Sequence, residues 1–177
     1  MKALAAALLV FVAACGQGKA IFNVDVYSFM AGTGKDTIPY AIPPASSASA
    51  STFQRILLPP GFGASIVDSV RITTGNANLI NSAGTGTIGF ALYFAADSAG
   101  TTTAPAALNI PATTVTGPQT VPVVISGDLS SVSTLFTKDT VWMRITATGT
   151  NAGLTPVTGK GALTALVIRV VLQDKIF

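Results

Sequence analysis

The chain has 177 residues, a formal net charge of +3, and only 10% charged residues, against roughly 25% in an ordinary soluble domain. It contains no histidine, and its seven acidic residues are all aspartate, so Ser-His-Asp and Cys-His nucleophile systems, imidazole metal ligands and glutamate pairs for glycoside hydrolysis are all excluded. The length suits one domain, and the basic residues are scattered rather than clustered, which argues against a nucleic-acid partner.

High mean hydropathy, +0.60, with little charge fits either a membrane protein or a β-rich extracytoplasmic one with a Ser/Thr/Gly surface. No run after residue 15 approaches the ~20 apolar residues of a spanning helix, so the second class is expected.

Met1-Lys2 carries one positive charge, Ala3 to Phe11 is a short apolar core, and Val12-Ala13-Ala14 precede Cys15, the single cysteine. This layout reads as a secretory signal. The sequence Val12-Ala13-Ala14-Cys15 resembles the lipobox of bacterial lipoproteins. The resemblance covers the first fifteen residues or so. It implies diacylglycerol transfer to the Cys15 sulfur, cleavage before Cys15 and acylation of the new amino terminus. Gly16, where inner-membrane lipoproteins tend to carry Asp, implies the outer membrane. The lone thiol has no disulfide partner and no histidine to activate it, so an anchor is the role left to it. The expected organisation is a signal peptide over 1–14, lipidated Cys15 with a tether to residue 19, and one domain over 20–177.

Within that domain, "IFNVDVYSFM" (21–30) alternates apolar and polar residues and predicts a half-buried strand. The Gly/Pro/Ala/Ser-rich segment 31–52 predicts a long loop. Further strands are predicted near 53–58, 65–73, 87–96, 120–126, 141–148 and 162–173, with weaker candidates at 76–81 and 106–110. Residues 162–173 are apolar on both faces, as in a central strand. "SGDLSSVSTLF" (126–136) predicts one short helix capped by Ser126 or Asp128. Seven or eight strands between turn signals predict an all-β fold, a single antiparallel β-sandwich of immunoglobulin-like or jelly-roll type. A small outer-membrane barrel is the alternative, suggested by the terminal Phe177 and opposed by Lys175 and the absence of aromatic girdles.

Two glycine-rich motifs are expected to be turns. "GTGTIG" (84–89) satisfies the dinucleotide spacing but precedes a strand instead of a helix, and "GTGK" (32–35) lacks the first glycine and the Ser/Thr of a phosphate loop. The aspartates lack calcium-loop spacing. No cofactor is expected. The sharpest binding hypothesis concerns Trp142, Tyr93 and Arg144: each lies opposite the apolar face of its strand, so an outward aromatic surface with a hydrogen-bond donor could stack on a sugar ring. The expected role is non-catalytic: a lipid-anchored subunit of an envelope or surface assembly, with polysaccharide binding as the alternative.

Overall fold

Strand alternation sets the architecture. In "TGTIGFALYFA", Ile88, Phe90, Leu92 and Phe94 are buried while the residues between them are not, and "TVWMRITATGTN" buries Val141, Met143, Ile145 and Ala147 in the same way. Period-two burial needs an apolar layer on one side only, which two facing sheets supply.

The computed structural model describes residues 19–58 and 66–173. The strands are β1 (Lys19–Asp25), β2 (Thr37–Ile42), β3 (Ser46–Leu57), β4 (Ile66–Ala83), β5 (Thr85–Ala95), β6 (Leu108–Thr116), β7 (Gln119–Val124), β8 (Gly127–Asp128), β9 (Thr140–Asn151) and β10 (Val157–Gln173). A four-residue helix, α1 (Gly100–Thr103), follows β5, and 3-10 turns span Tyr27–Phe29 and Ser130–Thr137.

All pairings are antiparallel. In the first sheet β10 and β4 run side by side; β1 and β2 pair with the two halves of the other edge of β10, and β7 and β8 with the other edge of β4. The second sheet has the order β3-β9-β5-β6. The pairs β2–β10, β3–β9, β4–β7 and β5–β6 are nested, and they fall alternately in the first and second sheet. A long antiparallel hairpin rolled up on itself produces this order, which is that of a jelly roll. The immunoglobulin order pairs its first two strands with each other; here β2 and β3 lie in different sheets. The barrel alternative falls with the separation into two sheets.

The core lies between them. Val26, Met30, Ile56, Val70, Leu79, Leu92, Val141, Met143, Leu166 and Ile168 are all fully buried, and Phe94 meets Phe136 with ring centroids 5.9 Å apart at 53°. β10 is central, as its two-sided apolar sequence predicts.

Three expectations need correction. Residues 31–52 are not a long loop: β2 and most of β3 occupy them, joined by a tight turn at Pro43–Ala45 in which Ala45 adopts φ 50°. The Ser/Ala composition suggests disorder, yet Ala48 and Ala50 alternate with exposed Ser47, Ser49 and Ser51 at strand period. The helix expected over 126–136 is a 3-10 segment starting at Ser130, whose N–H donates to Asp128 Oδ1 at 2.7 Å. The strand expected over 21–30 stops at Asp25, which accepts from the Ser28 N–H and turns the chain. Cys15, the signal and tether up to residue 18, Lys175 and Phe177 lie outside the described residues; Lys19 already belongs to β1.

Candidate functional site

The register of the second sheet places the predicted contact residues together. On its outer face Arg144 is the cross-strand partner of Tyr93 on one side and of Phe53 on the other; one row along, Trp142 lies between Arg55 and Ala95. Cross-strand partners on one face lie ~5 Å apart, so these six side chains form one patch at the end of the sheet.

The patch is partly roofed by the connection after β5. Asp97 Oδ1 accepts from Gly100 N–H at 2.7 Å, and Thr101 and Thr102 each return a hydroxyl to the carbonyl three residues back. These local bonds hold α1 in place, and Thr101 is fully buried. Its carbonyl accepts from Arg144 Nε (3.0 Å) and Nη2 (2.8 Å), while Nη1 donates to Thr146 Oγ1 at 2.7 Å. The guanidinium lies 3.7 Å from the centroid of the Tyr93 ring. Arg144 is therefore committed to the fold: stacked below and hydrogen-bonded above, it fixes α1 to the sheet.

Trp142 is half-buried and borders an open depression with Phe53, Ser98, Ala99 and Thr102. The three predicted residues thus do occupy one patch, but of the three only Trp142 lines the open depression. Phe53 and the 98–102 turn complete the depression. The Asp-Ser-Ala-Gly turn sequence at 97–100 signalled a bend; that the bend folds back over β9 follows only from the tertiary arrangement.

Beyond the patch the outer face is a field of small hydroxyl groups: Ser47, Ser49 and Ser51 on β3, Thr146, Thr148 and Thr150 on β9, and Thr87 on β5. Ser51 and Thr146 are bonded at 2.9 Å, and Thr87 and Thr150 at 2.7 Å. Between the sheets, a void of about 20 Å³ under Lys35 and Asp36 and another of about 60 Å³ beside Tyr40 leave room for a few waters. Among the described residues no three His, Cys, Asp or Glu side chains converge as a metal site would require, and no helix is long and apolar enough to cross a membrane.

The 32–35 motif is a turn, whereas of the 84–89 motif only Gly84 is, the rest being the start of β5. Gly84 (φ 79°) joins β4 to β5, and Gly32 and Gly34 (φ 74° and 76°) bend the chain before β2.

Fold and patch together define a jelly-roll β-sandwich whose open aromatic surface lies on the outside of one sheet. No family model and no curated protein matches the chain. Among solved structures it is similar to that of the infectious bursal disease virus Gx strain, at 12% identity and TM-score 0.39 over 90% of this chain and 33% of that one. The T13 particle of infectious bursal disease virus gives 8% identity and TM-score 0.33 over 88% of this chain and 39% of the other. The naturally empty top component of cowpea mosaic virus gives 12% and 0.26 over 78% and 79%. The chain thus spans well under half the length of the first two. The strand order, rather than these likenesses, carries the fold assignment.

Proposed function

We propose that the chain is a lipid-anchored, non-catalytic structural subunit of a cell-envelope or surface assembly, held to the membrane through Cys15 and joined to a second copy of itself through the free edge of β3. Jelly rolls serve both as shell-forming subunits and as sugar-binding domains, so the fold alone does not choose a role. The observation that favours a subunit is the state of the sheet edges. β2 carries Pro39, β6 carries Pro111 and a register shift, β7 carries Pro122, and β1 carries Lys19 and Asp25. Each is a device that blunts an edge against further pairing. β3 has none of them over Ser46–Gln54; its first charge is Arg55.

β3 is 12 residues long, and among the described residues only β9 pairs with it. Every second residue along it turns its N–H and C=O to the open side. Two β3 strands set antiparallel about Ser49 or about Ala50, so that like faces and open backbone groups meet, would oppose mostly small neutral side chains, leaving each Arg55 beyond the first residue of its partner strand. Strand addition of this kind obtains its affinity from main-chain hydrogen bonds.

The test is native mass, by light scattering and crosslinking, of the full lipidated chain in detergent and of Ser49→Pro and Ala50→Pro. Of these two neighbours, one turns its N–H to β9 and the other to the free edge. One variant should therefore remain folded yet become monomeric. A wild type that is monomeric at every concentration overturns the assembly reading. The anchor is tested separately: Cys15→Ala should lose acyl label and leave the membrane fraction, and a wild type without lipid defeats that half.

A second reading, polysaccharide binding, is favoured by the depression that Trp142 and Phe53 border. It requires Trp142 emission to be quenched by a soluble collider and shifted by a glycan, with both responses lost in Trp142→Ala. A blue, unquenched emission removes it.

A further inference from the structure

The outer face of the first sheet carries a row that the fold does not explain. Across four strands, Asn23 (β1), Arg169 (β10), Arg71 (β4) and Asp128 (β8) are successive register partners. Arg169 and Arg71 thus stand directly opposite each other, a like-charge pair that destabilises a sheet unless something neutralises it. The flanking inward residues, Val70, Ile72, Ile168 and Val170, are buried, which fixes both guanidinium groups on the outer side.

The acids on this face leave Arg169 uncompensated: Asp128 is the register partner of Arg71 alone and is also held by Ser130, and neither register partner of Arg169 is an acid. Asp128 accepts from Ser130 N–H at 2.7 Å, Asp25 from Ser28 N–H, and Asp68 binds Lys19 Nζ at 2.9 Å, the one ion pair among the described residues. Arg169 Nε is screened from solvent and has no acceptor among the described residues. A desolvated N–H on a cation is among the costlier groups to leave unpaired.

We propose that Arg71 and Arg169 form a binding site for a tetrahedral oxyanion, a phosphate group, with the Asn23 amide beside it as a further donor. Two planar forks rising from adjacent strands present donors in two planes. A tetrahedral oxyanion has enough oxygens to accept from both, whereas one planar carboxylate is filled by a single fork. Bound there, the anion would cancel the repulsion between the arginines and satisfy the orphan Nε. The site is independent of the β3 edge, which belongs to the other sheet.

The experiment compares thermal unfolding of the full chain carrying Cys15→Ala in sodium phosphate and in sodium chloride at equal ionic strength. Phosphate also stabilises proteins nonspecifically, so the informative quantity is the difference between this chain and the same chain with Arg71→Gln or Arg169→Gln added. The unsubstituted pair should show a Tm increment that grows with the logarithm of phosphate concentration, and either Gln variant should keep only the nonspecific part. Arg169→Leu controls for folding: with its unpaired N–H gone it should melt in chloride no lower than the parent. Sedimentation with phosphatidylglycerol vesicles, against phosphatidylcholine, separates the sources. Arginine-dependent vesicle binding identifies a lipid headgroup, and a phosphate response without it identifies a soluble phosphorylated ligand. Equal phosphate increments in parent and variants overturn the proposal.

Discussion

Arg144 and Tyr93 face each other across β9 and β5 with the guanidinium 3.7 Å from the ring centroid, and the same guanidinium donates twice to the carbonyl of Thr101. One side chain thereby joins the sheet to the connection that roofs its outer face. Arg144→Ala removes a cation–π contact and charge-assisted bonds, leaving the carbonyl of a buried residue unpaired. The expected cost is about 2–3 kcal/mol, read as a lower urea midpoint with an unchanged slope. Arg144→Lys should recover little of it, because an ammonium cannot reproduce the stacked, forked geometry. Full recovery by lysine would show that charge alone matters.

Two buried asparagines hold one end of the sandwich. Asn81 accepts from the Tyr40 hydroxyl and donates to the carbonyls of Gly84 and Gly117, tying the β4–β5 and β6–β7 turns together. Asn151 donates to the carbonyls of Ile42, Pro43 and Thr155 and accepts from Gly153 N–H, tying β2–β3 to β9–β10. Replacing either by Ala strands several backbone groups and should cost about 2–4 kcal/mol, above the 1–3 of a single lost buried bond. The two act on different turns, so chemical denaturation of the double variant should give near-additive losses.

Gly149 faces inward on β9, where an added Cβ would meet the side-chain ends of Ile42 and Ile88. Gly149→Ala should therefore destabilise by about 1–3 kcal/mol through overpacking. Ile42→Val in the same chain removes the nearer of the two methyl groups in the way and should return part of that loss. A double-mutant cycle showing no coupling would refute the contact.

Stability should fall at both ends of the pH scale for identifiable reasons. Burial raises the Tyr40 hydroxyl above its ordinary value of 10.0. The unfolded chain then releases that proton first, so this contribution is intact below pH 10.0 and declines as pH rises from there toward the folded value. Tyr40→Phe should flatten that alkaline limb of the stability curve. Asp128 is held below 3.8 by hydrogen bonds from the Ser130 side chain and backbone, with a smaller contribution from Arg71. Its contribution is present above 3.8 and is lost as pH falls through the depressed folded value. Asp128→Asn should remove that acid dependence.

Strand identity was largely legible from the sequence, since an apolar residue at every second position has one stable arrangement over an apolar layer. The inward sets of β5 and β9 and the outward faces of Trp142, Tyr93 and Arg144 follow from period two, and the central place of β10 from its apolar run on both faces. Segment 31–52 misled because small residues bury too little apolar area to stand out from a loop: Ala48 and Ala50 keep strand period at low hydrophobic contrast. The lipobox reading of Cys15 rests on the sequence alone.

Partnership was decided only in three dimensions. Nothing local in β2 states that it pairs with β10, or in β3 that it pairs with β9; the nesting comes from closing a long hairpin around one core. For the same reason the sequence could place Arg144 outward but not foresee that Thr101, 43 residues away, would occupy its donors. Nor could it show that Arg71 and Arg169 meet as register partners. Period fixes which way a side chain points, because it follows from backbone geometry. What the side chain meets depends on contacts between distant segments, which only the folded packing brings together.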